Sequence, residues 1–127
     1  MQQGTDVSRA TPATIKTLTA AEVLAVNQDT VTVQGRCVGR CSGGPHPANP
    51  LVWAGPLSMN CTVVTVINTG SNSLAHTLNW VDLGLPATAK LTVRDLWAQA
   101  DKGTATGSYE VTVETPHDNA MFKLCPA

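Results

Sequence analysis

At 127 residues the chain suits one domain and can bury a core without staples. A net charge of −1 with only 13% charged residues gives no basic footprint for nucleic acid. No apolar run approaches the ~20 residues that a membrane-spanning helix needs. Residues 11–27 read as helical: Thr11-Pro12 offers an N-cap followed by Pro at the first helical position. Ile15 and Leu18 are three apart, as are Val23 and Val26. Thr19 and Glu22 fit a capping box, so two short helices and one long helix both remain open. From Thr30 the period changes to two, and Thr30-Val31-Thr32-Val33 and Tyr109 to Glu114 read as strands with one wet face. Further strand candidates are 51–54, 61–68, 75–81, 89–97 and 120–125. Turn signals at 68–73, Gly84-Leu85-Pro86, Asp101-Lys102-Gly103 and 115–119 separate them. Residues 39–50 form a Gly/Pro-rich loop, and no internal repeat is present. Many short strands at close spacing suggest a sandwich or barrel.

Four cysteines, Cys37, Cys41, Cys61 and Cys125, allow three connectivities in an oxidising compartment. Cys37 and Cys41 bracket a short span in which Gly39 supplies a turn, so their pairing is the first choice, with Cys61 and Cys125 either paired or free. Asn60-Cys61-Thr62 fits the N-glycosylation triplet. The start, Met1-Gln2-Gln3-Gly4, has neither a basic nor an apolar region and does not read as a signal peptide. A fragment of a secreted or vacuolar precursor and an intracellular chain starting at Met1 are both consistent with it.

Several separated segments occur in one family order. Gly4-Thr5-Asp6-Val7 is followed by Ala21 to Gly35, with Asn27-Gln28-Asp29 at its turn. Then come Val52-Trp53-Ala54-Gly55-Pro56-Leu57-Ser58, Trp80-Val81-Asp82-Leu83-Gly84-Leu85-Pro86 and Val93-Arg94-Asp95-Leu96-Trp97. Gly107-Ser108-Tyr109, Pro116-His117 and Met121-Phe122-Lys123-Leu124 close the series. Together they resemble the end of the plant-type α-galactosidases (melibiases, glycoside hydrolase family 27), where the last barrel helix hands over to a C-terminal β-domain. The sequence departs from that pattern at Ser8, Thr30 and Thr32, and in the loop from Cys37 to Cys41.

The resemblance implies an antiparallel, Greek-key-like β-sandwich over residues 30–127, preceded by a helical segment over residues 1–29. Leu78, Trp80, Leu91, Val93, Val111, Val113, Phe122 and Leu124 are the expected core, because alternate strand positions face inward. It also implies a non-catalytic C-terminal domain of an α-galactosidase-like glycosidase with a structural or interaction role. The alternative is a truncated paralogue reused as a glycan-binding or protein-assembly module. Members of the family are retaining glycosidases that need two carboxylates roughly 5 Å apart. Both would lie upstream of Met1, so this chain alone is not expected to be an enzyme.

Other carboxylates offer no replacement pair. Glu110 and Glu114 lie on one alternating strand and read as a solvated face, while Asp82 and Asp95 read as turn residues. Asp6 would match a loop at the catalytic face of the missing barrel. His46, His76 and His117 form no metal spacing; a zinc site of Cys37, Cys41 and His46 is conceivable, but a disulfide or free thiols are favoured. No metal or other cofactor is therefore expected. Trp53 and Trp97 are the candidate binding residues for carbohydrate, weighed against core or interdomain packing. Ile15, Leu18, Leu24 and Val26 would lie uncovered without a barrel, so residues 11–27 are expected to fold back on the sandwich, to be disordered, or to contact another chain, with the missing barrel or another protein chain as the preferred partner.

Overall fold

The structure, a computed structural model, describes residues 11–13, 20–31, 34–38 and 49–127. Pro12 and Ala13 are helical, and the next described element is a separate helix, α1 (Ala21–Asn27). Its sequence is rich in good helix formers, and Glu22 places a negative charge in the first turn. The N-cap is Ala20, without a side-chain cap; Thr19 of the expected capping box lies outside the described residues, and the Glu22 carboxylate accepts from Arg94.

Eight strands follow among the described residues: β1 (Arg36–Val38), β2 (Leu51–Pro56), β3 (Thr62–Ile67), β4 (Leu74–Asn79), β5 (Lys90–Asp95), β6 (Ala100–Thr106), β7 (Ser108–Val113) and β8 (Asn119–Pro126). Six make one antiparallel sheet in the order β1-β2-β3-β8-β5-β6, and β4 and β7 make a second. The two inner faces meet in one core. Val52, Ala54, Val64, Val66, Leu91, Val93, Phe122 and Leu124 come from the larger sheet, and Leu78, Val111 and Val113 from the smaller. These are alternate positions of their strands, which is the pattern of a two-layer sandwich. All eight residues expected in the core are buried. The Tyr109 ring meets Phe122 edge-on, with centroids 5.6 Å apart.

Trp80 is fully buried, but not within a strand. β4 ends at Asn79, and Trp80 opens a 3-10 turn to Leu83 that Gly84 closes in the left-handed region. The indole N–H donates to the Ala89 carbonyl at 2.9 Å, and the backbone N–H of Trp80 donates to Gly107 at 2.9 Å. Asn68, also buried, builds the β3–β4 turn: its Nδ2 donates to Asn72 at 2.8 Å and its Oδ1 accepts from Gly70 at 3.0 Å.

Two further sequence expectations change. Thr30 and Val31 lie outside any strand, and residues 32–33 lie outside the described residues. The Asp29 carboxylate accepts the Val31 N–H at 2.9 Å, which bends the chain there instead of extending it. Asp101-Lys102-Gly103, expected as a turn, lies inside β6. The true turn between β5 and β6 is Leu96 to Gln99. The pairs Thr92↔Thr104 and Arg94↔Asp101 leave two β6 residues opposite Val93, a bulge that Gly103 permits with φ +86°.

The candidate interdomain face

The outer face of the six-stranded sheet carries α1. Val23 is 2% exposed and packs against Leu96 and Met121, with Ala20, Val26 and Val63 completing the cluster. Ala20, Val23 and Val26 are three apart, so one stripe of a short helix makes the contact. Register brings Val63, Lys123, Arg94 and Asp101 side by side on β3, β8, β5 and β6 beneath it.

Polar contacts fix the helix at both ends. Arg94 Nη2 and Nε donate to the two Glu22 carboxylate oxygens at 2.7 and 3.1 Å, and Nη1 lies 3.2 Å from Asp101. The bond from Arg94 holds the Glu22 carboxyl below its ordinary range against the opposing effect of partial burial; the charges of Arg94 and Lys123 add to it. The same contact raises the pKa of Arg94. Past the end of the helix, Asp29 accepts from the Ser58 N–H at 3.0 Å and from the Ser58 hydroxyl at 2.8 Å. The Val31 N–H and the Ser58 hydroxyl are the main reasons its carboxyl is also held low. A cavity of about 250 Å³ remains between helix and sheet, lined by Glu22, Val26, Asp29, Leu57, Arg94 and Lys123.

The sequence candidates distribute unevenly over this face. Val26 joins the buried cluster, whereas Leu24 is half-buried outside it. Ile15 and Leu18 lie outside the described residues. Trp53 is 40% exposed on the outward phase of β2, opposite Cys37 and Thr65. Trp97, 37% exposed in the β5–β6 turn, donates its indole N–H to Asn119 Oδ1 at 2.9 Å. Neither tryptophan joins the buried clusters. Sequence reading missed Val23 as the anchor, although its spacing from Val26 was visible. It also missed Arg94, Asp29 and Ser58, whose partners are distant in sequence and carry no local signal.

Cys61 and Cys125 form a disulfide between adjacent strands, next to the Thr62↔Leu124 pair. Cys37 is also disulfide-bonded; Cys41 and His46 lie outside the described residues. Among the described residues no group of three His, Cys, Asp or Glu side chains could hold a metal ion. Asp95 accepts the Ala98 N–H at 3.0 Å within its turn, and Asp82, Glu110 and Glu114 are exposed. His76 is half-buried on β4 and His117 is exposed. Asp6 lies outside the described residues. Asn60 is exposed beside Met59 in the turn before β3. No helix among the described residues is long and apolar enough to cross a membrane.

Comparison with known proteins agrees with this geometry. An α-galactosidase from Coffea arabica is 40% identical over 123 residues, 97% of this chain and 31% of that protein. A probable α-galactosidase from Dictyostelium discoideum is 38% identical over 114 residues, 89% of this chain and 29% of that protein. Among solved structures, α-galactosidase I from Mortierella vinacea superimposes with a TM-score of 0.83 at 25% identity, over 98% of this chain and 31% of that one. A GH27 β-L-arabinopyranosidase from Geobacillus stearothermophilus gives 0.80 at 26% identity, over 98% of this chain and 26% of that one. The chain thus spans about a third or less of each of these four relatives. Residues 48–124 match the family described as the alpha galactosidase C-terminal beta sandwich domain, and to that family the chain belongs.

Proposed function

We propose that this chain is the non-catalytic C-terminal β-domain of an α-galactosidase-like glycoside hydrolase, and that it supports a catalytic barrel. In this reading residues 1–29 belong to the barrel junction and residues 30–127 form the supporting domain. One observation carries it: α1, which resembles the last barrel helix, is locked onto the sandwich by Val23 and by the Glu22–Arg94 pair. A helix shared in this way fixes the angle at which a preceding barrel meets the sheet. Leu24, half-buried beside the anchoring stripe, and the part of residues 11–27 that does not pack on the sandwich, would face that barrel or another protein chain.

Two experiments test this. The purified chain, incubated with an aryl α-galactoside, should release product at the buffer rate. Turnover that survives repurification and disappears on changing Asp82 or Glu110 would overturn the proposal. Co-expression with the coffee enzyme's upstream portion, lacking its own final segment, should raise the yield of soluble, active barrel. Arg94→Ala should reduce that gain.

A second reading rests on Trp53 and Trp97, both more than a third exposed. Aromatic faces that wet are suited to stacking on sugar rings, so a reused glycan-binding or assembly module is the alternative. Galactose binding without turnover, weakened by Trp53→Ala or Trp97→Ala, would favour it.

A further inference from the structure

We propose that Asn60 is an N-glycosylation site, and that its glycan is added before β3 and β8 pair. The triplet Asn60-Cys61-Thr62 has the required form. Triplets of this kind arise by chance, so the structural setting must carry the argument.

Three observations do so. Asn60 is exposed at the tip of the turn before β3, next to Met59, which is 88% exposed. Its carboxamide makes no hydrogen bond among the described residues, so a sugar attached there displaces no contact. The turn itself is rigidly held: Ser58 is bonded to Asp29 through its N–H and its hydroxyl, and the Leu57 N–H donates to the Cys61 carbonyl at 2.8 Å. The Cys61–Cys125 disulfide belongs to the chemistry of an oxidising compartment, and transfer of N-glycans takes place in the same kind of compartment.

The folded domain also sets the order of events. Transfer joins Asn60 Nδ2 to the anomeric carbon of an oligosaccharide carried on a polyprenyl diphosphate. The bond from that carbon to the diphosphate oxygen breaks, the lipid diphosphate leaves, and one carboxamide proton is lost to a base of the transferase. The transferase must reach the backbone of the triplet and the Thr62 hydroxyl together. In the finished fold it cannot, because Cys61 is 6% exposed and disulfide-bonded, and Thr62 is paired with Pro56 on one side and Leu124 on the other. Cys125 lies 64 residues after Cys61, so the bond cannot close until that length has been made. Transfer has that interval in which to act, and the later fold leaves the glycan standing on the exposed turn.

The test uses the full chain secreted from a eukaryotic host that modifies the Lys102→Asn variant. That change creates a second triplet with Gly103 and Thr104 on exposed β6 and so reports that the host is competent. Peptide mass analysis, with enzymatic deglycosylation in heavy-oxygen water, should find the wild-type chain occupied at residue 60. Asn60→Gln and Thr62→Val should lose the modification, and Thr62→Ser should keep it. Occupancy at position 102 together with unmodified Asn60 would overturn the proposal. Cys125→Ala, which stops the disulfide from locking Cys61 beside β8, should leave occupancy at residue 60 equal or higher; a fall would overturn the proposed order.

Discussion

Arg94 holds Glu22 across 72 residues of sequence, its Nη2 and Nε meeting the two carboxylate oxygens at 2.7 and 3.1 Å. The two parallel bonds fix direction as well as distance, which a lysine at position 94 could not do. Both side chains are about one-third exposed, so the pair acts more as a locating pin for α1 than as a large source of stability.

That pin gives the domain an acid limit. Glu22 and Asp29 have folded pKa values below their ordinary 4.5 and 3.8. Depressed carboxylates contribute stability above their unfolded pKa and lose it as pH falls through the folded one. The raised pKa of Arg94 would matter only at extreme alkalinity, so it adds nothing to this window. Denaturant midpoints should therefore fall between about pH 6 and about pH 3, and Glu22→Gln should shrink that fall. An unchanged pH profile in the variant would show that the pair contributes nothing.

Val23 is the apolar anchor of the same helix. Val23→Ala should cost about 1–3 kcal/mol by removing two buried methyl groups and leaving a void beside Leu96 and Met121. Leu24→Ala, at a half-buried position outside the cluster, should cost less. Urea unfolding of the two variants would rank them.

The cross-strand disulfide closes a loop of 64 residues in sequence. Chain-entropy arguments give it roughly 4 kcal/mol as an upper figure. The double variant Cys61→Ala, Cys125→Ala should lower the denaturation midpoint accordingly, while far-ultraviolet circular dichroism keeps its β character. Reductant should reproduce much of the shift in the wild-type chain.

Trp80→Phe should destabilise by about 2–4 kcal/mol, since it removes a buried indole N–H from the Ala89 carbonyl and shrinks a fully packed side chain. Trp97→Phe loses a bond at an exposed turn and should cost under about 1 kcal/mol. Thermal melts of both variants would check the contrast.

The core was legible because half-wet strands write their inner face at every second position. Leu91 and Val93, Val111 and Val113, and Phe122 and Leu124 all follow that rule. β6 escaped because its residues are mostly exposed and a Gly-bearing bulge breaks its rhythm. Trp80 was recognised as core, but its place in a turn depends on a bond to Gly107, far along the chain. The candidate interdomain face was only half visible. The Val23–Val26 spacing showed an apolar stripe, yet nothing local tells that Glu22 will bond to Arg94 or that Asp29 will reach Ser58.

The bulge at Gly103 also bears on how copies of this molecule behave towards each other. β6 borders the larger sheet and would otherwise offer its outer backbone groups as a template for a neighbouring chain. The extra residue twists that border, and Asp101 and Lys102 place opposite charges along it. A second molecule laid against it would lose register at the bulge and bring its own Asp101 and Lys102 into the contact. An irregular, charged border of this kind is a poor template for edge-to-edge pairing, while the interior of the sandwich stays regular.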